Sequence, residues 1–146
     1  MSDNAIVIRP EFAPGRRIIA ISDIHGNLPF LQNLLRKIRF TKEDILILLG
    51  DMLEKGPDNL ALASYIMDLC RTHTVYPICG NCDGLVLNFF RTDALDESFF
   101  ARYLPNHPES CIFQMADRMG YTGDRWDFPS LRAALNRGFP HLRDWL

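Results

Sequence analysis

The sequence predicts an α/β fold: a parallel-type sheet flanked by helices, followed by a helical segment. Two observations carry this. Three apolar runs with strand character alternate with stretches of helical spacing, and that alternation calls for crossover connections and a parallel sheet. Each run also leads directly into a short polar motif: Ser22-Asp23-Ile24-His25-Gly26-Asn27, then Gly50-Asp51-Met52-Leu53-Glu54-Lys55-Gly56-Pro57-Asp58, then Gly80-Asn81-Cys82-Asp83. Asp23 and Asp51 are 28 residues apart and Asp51 and Asn81 are 30 apart, room each time for one helix and one strand. Ligand-type side chains thus arrive together at one end of a sheet, where open α/β folds build their sites.

The elements follow in order. Residues 1–16 are a polar lead-in with a short apolar run, Ala5-Ile6-Val7-Ile8. Ile18-Ile19-Ala20-Ile21 is the first strand, and its continuous apolar character predicts burial on both faces. Leu28, Leu31, Leu34, Leu35 and Ile38 recur at helical spacing, so residues 28–39 form an amphipathic helix, with Asn27 as N-cap and Pro29 in the first turn. Ile45 to Leu49 is the second strand. Pro57 and Asp58 open a second helix reaching about Thr72, with Leu62, Ile66, Leu69 and Cys70 on one face. Thr74 to Cys79 is a third strand whose Pro77 cannot donate to a ladder and marks an edge or a bulge. A third helix starts near Asp83 and carries Leu85, Val86, Phe89 and Phe90. After Arg91 the alternation ceases, and helices are predicted at 95–104, 109–119, 129–137 and from Pro140. The domain reading is one domain, 1–146, with a motif-bearing α/β part (17–92) and a helical part (93–146). The chain ends on Trp145-Leu146 after fewer than two helical turns, which reads as a C-terminal truncation.

Composition narrows the function classes. A net charge of −2 with scattered Lys and Arg gives no footprint for nucleic acid. No apolar run approaches the roughly 18 residues of a membrane span, and Met1-Ser2-Asp3-Asn4 does not open a secretory leader. Four cysteines in a chain of this length do not suggest a disulfide scaffold, and a cytoplasmic location is expected. Cys79-Gly80-Asn81-Cys82 is formally a C-x-x-C, so a thiol redox protein using Cys79 and Cys82 stands as an alternative.

Asp23 and His25 flank one residue at a strand end; in extended backbone, positions i and i+2 point the same way and can converge on one cation. The carboxylate of Asp51 has two oxygens and can bridge two cations roughly 3.5–4 Å apart. Asn81 offers a neutral amide oxygen to a hard cation. Read singly, each motif also fits a turn with a capping side chain; Asp83 suits an N-cap. Lys55 and a nearby helix N-terminus could hold an anionic phosphate, and a solvated lysine is the alternative. His73, His107 and His141 lie outside the motifs and are expected to be structural or at the surface. The stripe Phe89, Phe90, Phe99, Phe100 and Tyr103 is expected in the core.

Together the three motifs, over residues 18–83, resemble the opening motifs of the calcineurin-like metallophosphoesterases, most like the bacterial branch related to serine/threonine protein phosphatases and dinucleoside tetraphosphatases. The resemblance implies the first half of an α/β/β/α sandwich and two divalent metal ions, manganese, iron or zinc. Asp23 and His25 would bind the first, Asp51 would bridge, and Asn81 would bind the second and face substrate. It implies hydrolysis of phosphate mono- or diesters by a metal-activated hydroxide on a phosphorylated small molecule or phosphoprotein, with Lys55 binding substrate and Cys82 and Asp83 as catalytic candidates. Cys82 stands where the family usually has a leaving-group histidine; a thiol near pKa 8.5 protonates an alkoxide poorly, which favours activated monoesters or diesters. Lys55 replaces an arginine common in protein phosphatases, a point charge instead of a fork. The family's later motifs, a lone His and a Gly-His-x-His, have no counterpart, and His141 has neither a preceding strand nor following glycines. The resemblance therefore implies a chain that binds metal weakly, hydrolyses little, and exposes apolar faces open to self-association. An inactive remnant or binding module is the alternative.

Overall fold

The computed structural model describes residues 9–91 and 97–146. Three strands, β1 (Ile18–Ile21), β2 (Ile45–Leu48) and β3 (Thr74–Pro77), alternate with α1 (Leu28–Lys37), α2 (Asn59–Thr72) and α3 (Asn81–Phe90). Then come α4 (Glu97–Tyr103), a 3-10 turn (Leu104–Asn106), α5 (Cys111–Arg118), α6 (Phe128–Gly138) and α7 (Pro140–Trp145). The sheet is parallel throughout in the order β1-β2-β3, with Ile18 opposite Ile45 and Ile45 opposite Thr74. The apolar run 5–8 and the first two residues of the helix expected at 95–104 lie outside the described residues. Among the described residues, no helix is long and apolar enough to cross a membrane.

Local chemistry sets the boundaries. Asn27 caps α1 through its side chain, which accepts from the Phe30 amide at 3.1 Å. The second helix begins at Asn59, two residues later than expected, because Pro57 and Asp58 belong to the turn. The third begins earlier: Gly80 is its N-cap and Asp83, expected as N-cap, is the third helical residue reaching back to the Gly80 amide. Pro77 ends an edge strand, and the next residue, Ile78, donates to Leu48 O at 2.8 Å in its place.

The core lies against one face of the sheet, where Ile21, Leu46 and Leu48 meet Leu31 and Leu35 of α1 and Leu62, Ala63 and Ile66 of α2. It continues through Phe89, Phe100, Leu104, Ile112, Met115, Leu131 and Leu135. The aromatic stripe is core as expected for Phe89, Phe90 and Phe100, with Phe99 and Tyr103 at its margin. Arg132 and Asn136 of α6 donate to the last carbonyls of α3, those of Phe89 (2.8 Å) and Phe90 (3.0 Å). Arg17 forks onto Asp44 at 2.8 and 2.9 Å, and this hydrogen bond holds the Asp44 carboxyl down to about 2.

The second face differs from the expectation of strands buried on both sides. Ile18 is 53% exposed and Ala20 is exposed, while Phe12 reaches Tyr76 edge-on at 6.0 Å. α2 packs on α1 and α5, α3 and α6 pack on α5 and on each other, α7 packs on α6, and α4 packs on the 3-10 turn, all joined by the continuous core to the other face.

Candidate metal centre

The site is assembled from the three loops that leave the C-terminal ends of the strands. The first two run side by side: the Asp23, His25 and Gly26 amides donate to the carbonyls of Gly50 (3.3 Å), Asp51 (3.0 Å) and Met52 (2.8 Å). The third locks on through Asp83. This fully buried carboxylate accepts from Leu53 N at 2.8 Å and Gly80 N at 2.9 Å, bridging the second loop to the start of α3. The loops touch so closely that a Cβ on Gly50 would meet Gly80 Cα at 2.6 Å. Among the described residues, five of the six non-glycine residues with positive φ lie in the first two motifs: Asp23, His25, Asp51, Glu54 and Lys55. Such strain persists where surrounding structure holds it, and it gathers at functional sites.

This corrects the expected route to convergence. Asp23 and His25 have φ of 55° and 46°, so they occupy left-handed turns and do not alternate along an extended segment. Their side chains still meet, with His25 Nε2 3.7 Å from an Asp23 oxygen. Asp23 stands at the rim, its side chain 68% exposed, and accepts from Ser22 Oγ at 2.6 Å.

Among the described residues, His25, Asp51 and Cys82 form a donor set whose ligand atoms lie within 4.8 Å of one another. His25 Nδ1 is buried and has no hydrogen-bond partner. Asp51 accepts from Cys82 N at 3.0 Å through one oxygen. One terminal atom of the Asn81 amide sits 3.2 Å from both Asp51 oxygens. With nitrogen there, the amide donates to the carboxylate; with oxygen there, three oxygens crowd together in the arrangement a shared cation would relieve. An orphaned imidazole nitrogen, a carboxylate and an amide that can present oxygen are a donor set fit for a divalent ion.

Cys82 is buried, at 3% exposure. Burial pushes its thiol pKa up; Lys55, within hydrogen-bonding reach, works against that and Asp51 adds to it. Burial also raises Cys79. Redox-active C-x-x-C pairs need a depressed thiol, so these shifts argue against the redox alternative. Asp83, a catalytic candidate from the sequence, accepts one backbone amide on each oxygen, from Leu53 and from Gly80, and so ties the second loop to the start of α3. The other histidines sit elsewhere: His73 stacks on Phe40, His107 on Tyr103, and the exposed His141 lines a groove with Cys70 and Arg71.

Two supporting groups escaped the sequence reading. Glu54, fully buried, accepts from Ser110 Oγ (2.9 Å), Cys111 N (2.8 Å) and Tyr103 Oη (3.0 Å), fastening the second loop to the start of α5. Burial raises its pKa and these hydrogen bonds oppose the rise. Asn59, also fully buried, donates to Gly56 O and Glu109 O, and Gln114 donates to the same two carbonyls. A buried Asp or Glu in a motif is visible in sequence; partners some 50 residues away are not.

The chain is similar to known proteins. The chain is 30% identical over 89 residues to serine/threonine-protein phosphatase 1 of Salmonella typhimurium, covering 60% of this chain and 39% of that protein. It is 32% identical over 78 residues to serine/threonine-protein phosphatase 2 of Escherichia coli, 53% of this chain and 34% of that one. It is 40% identical over 68 residues to the symmetrical bis(5'-nucleosyl)-tetraphosphatase of Erwinia tasmaniensis, 46% of this chain and 21% of that one. The chain thus matches between 21% and 39% of the length of these curated relatives. The family model for calcineurin-like phosphoesterases matches residues 16–139, which takes in all three strand-end loops and the helices behind them, and on this match the chain belongs to the calcineurin-like phosphoesterase family.

Proposed function

We propose that the three loops hold divalent metal for hydrolysis of phosphate mono- or diesters. The observation that carries this is the convergence of His25, Asp51 and Cys82, with Asn81 against Asp51, at the C-terminal edge of the sheet. In this reading Asp23 and His25 serve one ion, Asp51 is shared, and Asn81 serves a second, the ions being manganese, iron or zinc. When bound, such ions neutralise phosphoryl oxygens and lower the pKa of an attacking water. Lys55, exposed beside the cluster, meets the substrate phosphate as a point charge. Asp83, with each oxygen accepting from a backbone amide, serves in this reading to hold the loops in register. With no strong acid at the leaving group, the favoured substrates are those whose leaving group departs without one, such as an aryl ester or a phosphoanhydride. The relatives' names, protein phosphatase and nucleosyl tetraphosphatase, span a phosphoprotein and a phosphorylated small molecule. Four free cysteines suit a cytoplasmic setting.

The test is manganese-dependent hydrolysis of an aryl phosphate by the wild type beside Asp51→Asn. Turnover that needs manganese and vanishes in the variant supports the reading. Folded, metal-loaded wild type without turnover shifts the balance to a second reading, a domain that binds metal and does not hydrolyse. One observation favours that second reading: four ligand residues, Asp23, His25, Asp51 and Asn81, are few for two ions.

Self-association belongs to the same proposal. Ile18 and Ala20 expose apolar surface on β1, at the edge of the sheet, and sheets bury such surface against another layer. Ile18→Lys is expected to lower the sedimentation-average mass at high concentration; unchanged association would remove this face from consideration.

A further inference from the structure

We infer that Cys82 binds the metal directly, as a thiolate, completing a His25–Asp51–Cys82 set. The inference rests on the metal-centre reading and names a ligand that the motif pattern does not supply. The geometry comes first. The Cys82 sulfur belongs to the one described cluster in which imidazole, carboxylate and thiol donors all fall within 4.8 Å. Donors on a tetrahedral zinc sit roughly 3.5 Å apart, given bond lengths of about 2.0 Å to nitrogen and 2.3 Å to sulfur. Side-chain rotation closes the remainder, and Cys82 is held in place for it. Its amide is tied to Asp51 Oδ1 at 3.0 Å, and it is the second residue of α3, whose first is Asn81.

Burial adds to the geometry: Cys82 is 3% exposed, so its sulfur is turned inward toward the His25 and Asp51 donors instead of out to solvent. On binding, the S–H bond breaks, its proton goes to solvent, and a metal–sulfur bond forms. Sulfur also changes selectivity. An all-oxygen and imidazole site suits manganese, whereas a thiolate adds preference for zinc and ferrous iron.

Cobalt(II) added to the full chain tests this with a readout independent of turnover. The wild type is expected to show visible ligand-field bands together with a near-ultraviolet thiolate-to-cobalt charge-transfer band. Cys82→Ser should keep the visible bands and lose the charge-transfer band, and Cys79→Ser should keep both. Zinc affinity should fall in Cys82→Ser by at least the roughly 10-fold that even outer-shell partners command, with manganese affinity changed far less. Visible bands without charge transfer in the wild type would overturn the sulfur ligand and leave the oxygen and imidazole centre standing. So would a charge-transfer band that survives Cys82→Ser. Folded protein that shows neither band would overturn the metal centre itself, and this inference with it.

Discussion

Glu54→Ala is expected to destabilise the chain by about 3 kcal/mol or more, at about 1–3 kcal/mol for each buried donor left without an acceptor, less what entering water recovers. Three donors depend on this carboxylate: Ser110 Oγ, Cys111 N and Tyr103 Oη. They come from α4, the start of α5 and the turn between, so the substitution cuts the tie between the α/β loops and the helical half. Glu54→Gln should cost much less. Its carbonyl oxygen can keep Ser110 and Cys111, and the Tyr103 hydroxyl can turn to accept from the new amide.

The two variants also differ in pH dependence. Burial is the largest influence on Glu54 and raises its pKa above the ordinary carboxylate value. A carboxyl with a raised folded pKa keeps its proton in the folded state at pH values where the unfolded chain has lost it. Its contribution is therefore greatest below the unfolded value of about 4.3 and declines as pH rises through the folded value. Glu54→Gln removes that decline, so its stability relative to wild type should improve as pH rises through this window. Urea unfolding at a series of pH values measures both effects. Wild-type stability in Glu54→Ala, or parallel pH profiles for wild type and Glu54→Gln, would show that the anchor carries no weight.

How legible this was in the sequence depends on the range of the interaction. The strands, α1 with its Asn27 cap, and the placing of the motifs at strand ends follow from local patterns, and the structure agrees with them. The start of α3 departs from expectation because its cap is not the nearest acidic residue, and α2 starts later because Pro57 and Asp58 lie in the turn ahead of it. At Gly80 the true cap is a glycine whose amide is served by Asp83 from inside the helix. Apolar character alone predicts burial on both faces, yet Ile18 shows that an apolar strand can leave one face to solvent. Side-chain direction at the site was the hardest to read. Asp23, His25 and Asp51 all adopt positive φ, a conformation uncommon even for Asp and His, the types enriched there, so the sequence alone does not mark which of them take it. The partners of Glu54, and the Glu109 carbonyl that Asn59 reaches, lie about 50 residues on, where long-range packing and not local pattern decides them.

Gly56→Ala is the second large effect expected, and it separates steric exclusion from backbone strain. The φ of Gly56 lies outside the left-handed region, so alanine is not excluded there by conformation. What excludes it is contact: a Cβ at this position would drive into the His25 carbonyl and meet Gly26 Cα at 3.0 Å. Both are backbone, and neither can rotate away. The first loop must shift, and it is pinned at Gly26 by hydrogen bonds to Met52 O and from Asp58 N. Overpacking of this kind costs about 1–3 kcal/mol, and more where backbone must move. Gly120→Ala is the control. Its φ of 64° is strained for alanine, yet no atom lies within 4 Å of the added Cβ, so its cost should stay near 1–2 kcal/mol and leave the site untouched. Gly56→Ala should lower the melting temperature further and weaken cobalt binding through displaced His25, whereas Gly120→Ala should bind cobalt as wild type does. Equal losses of stability in the two variants, with metal binding intact in both, would mean that the close approach of the first two loops does not position the histidine.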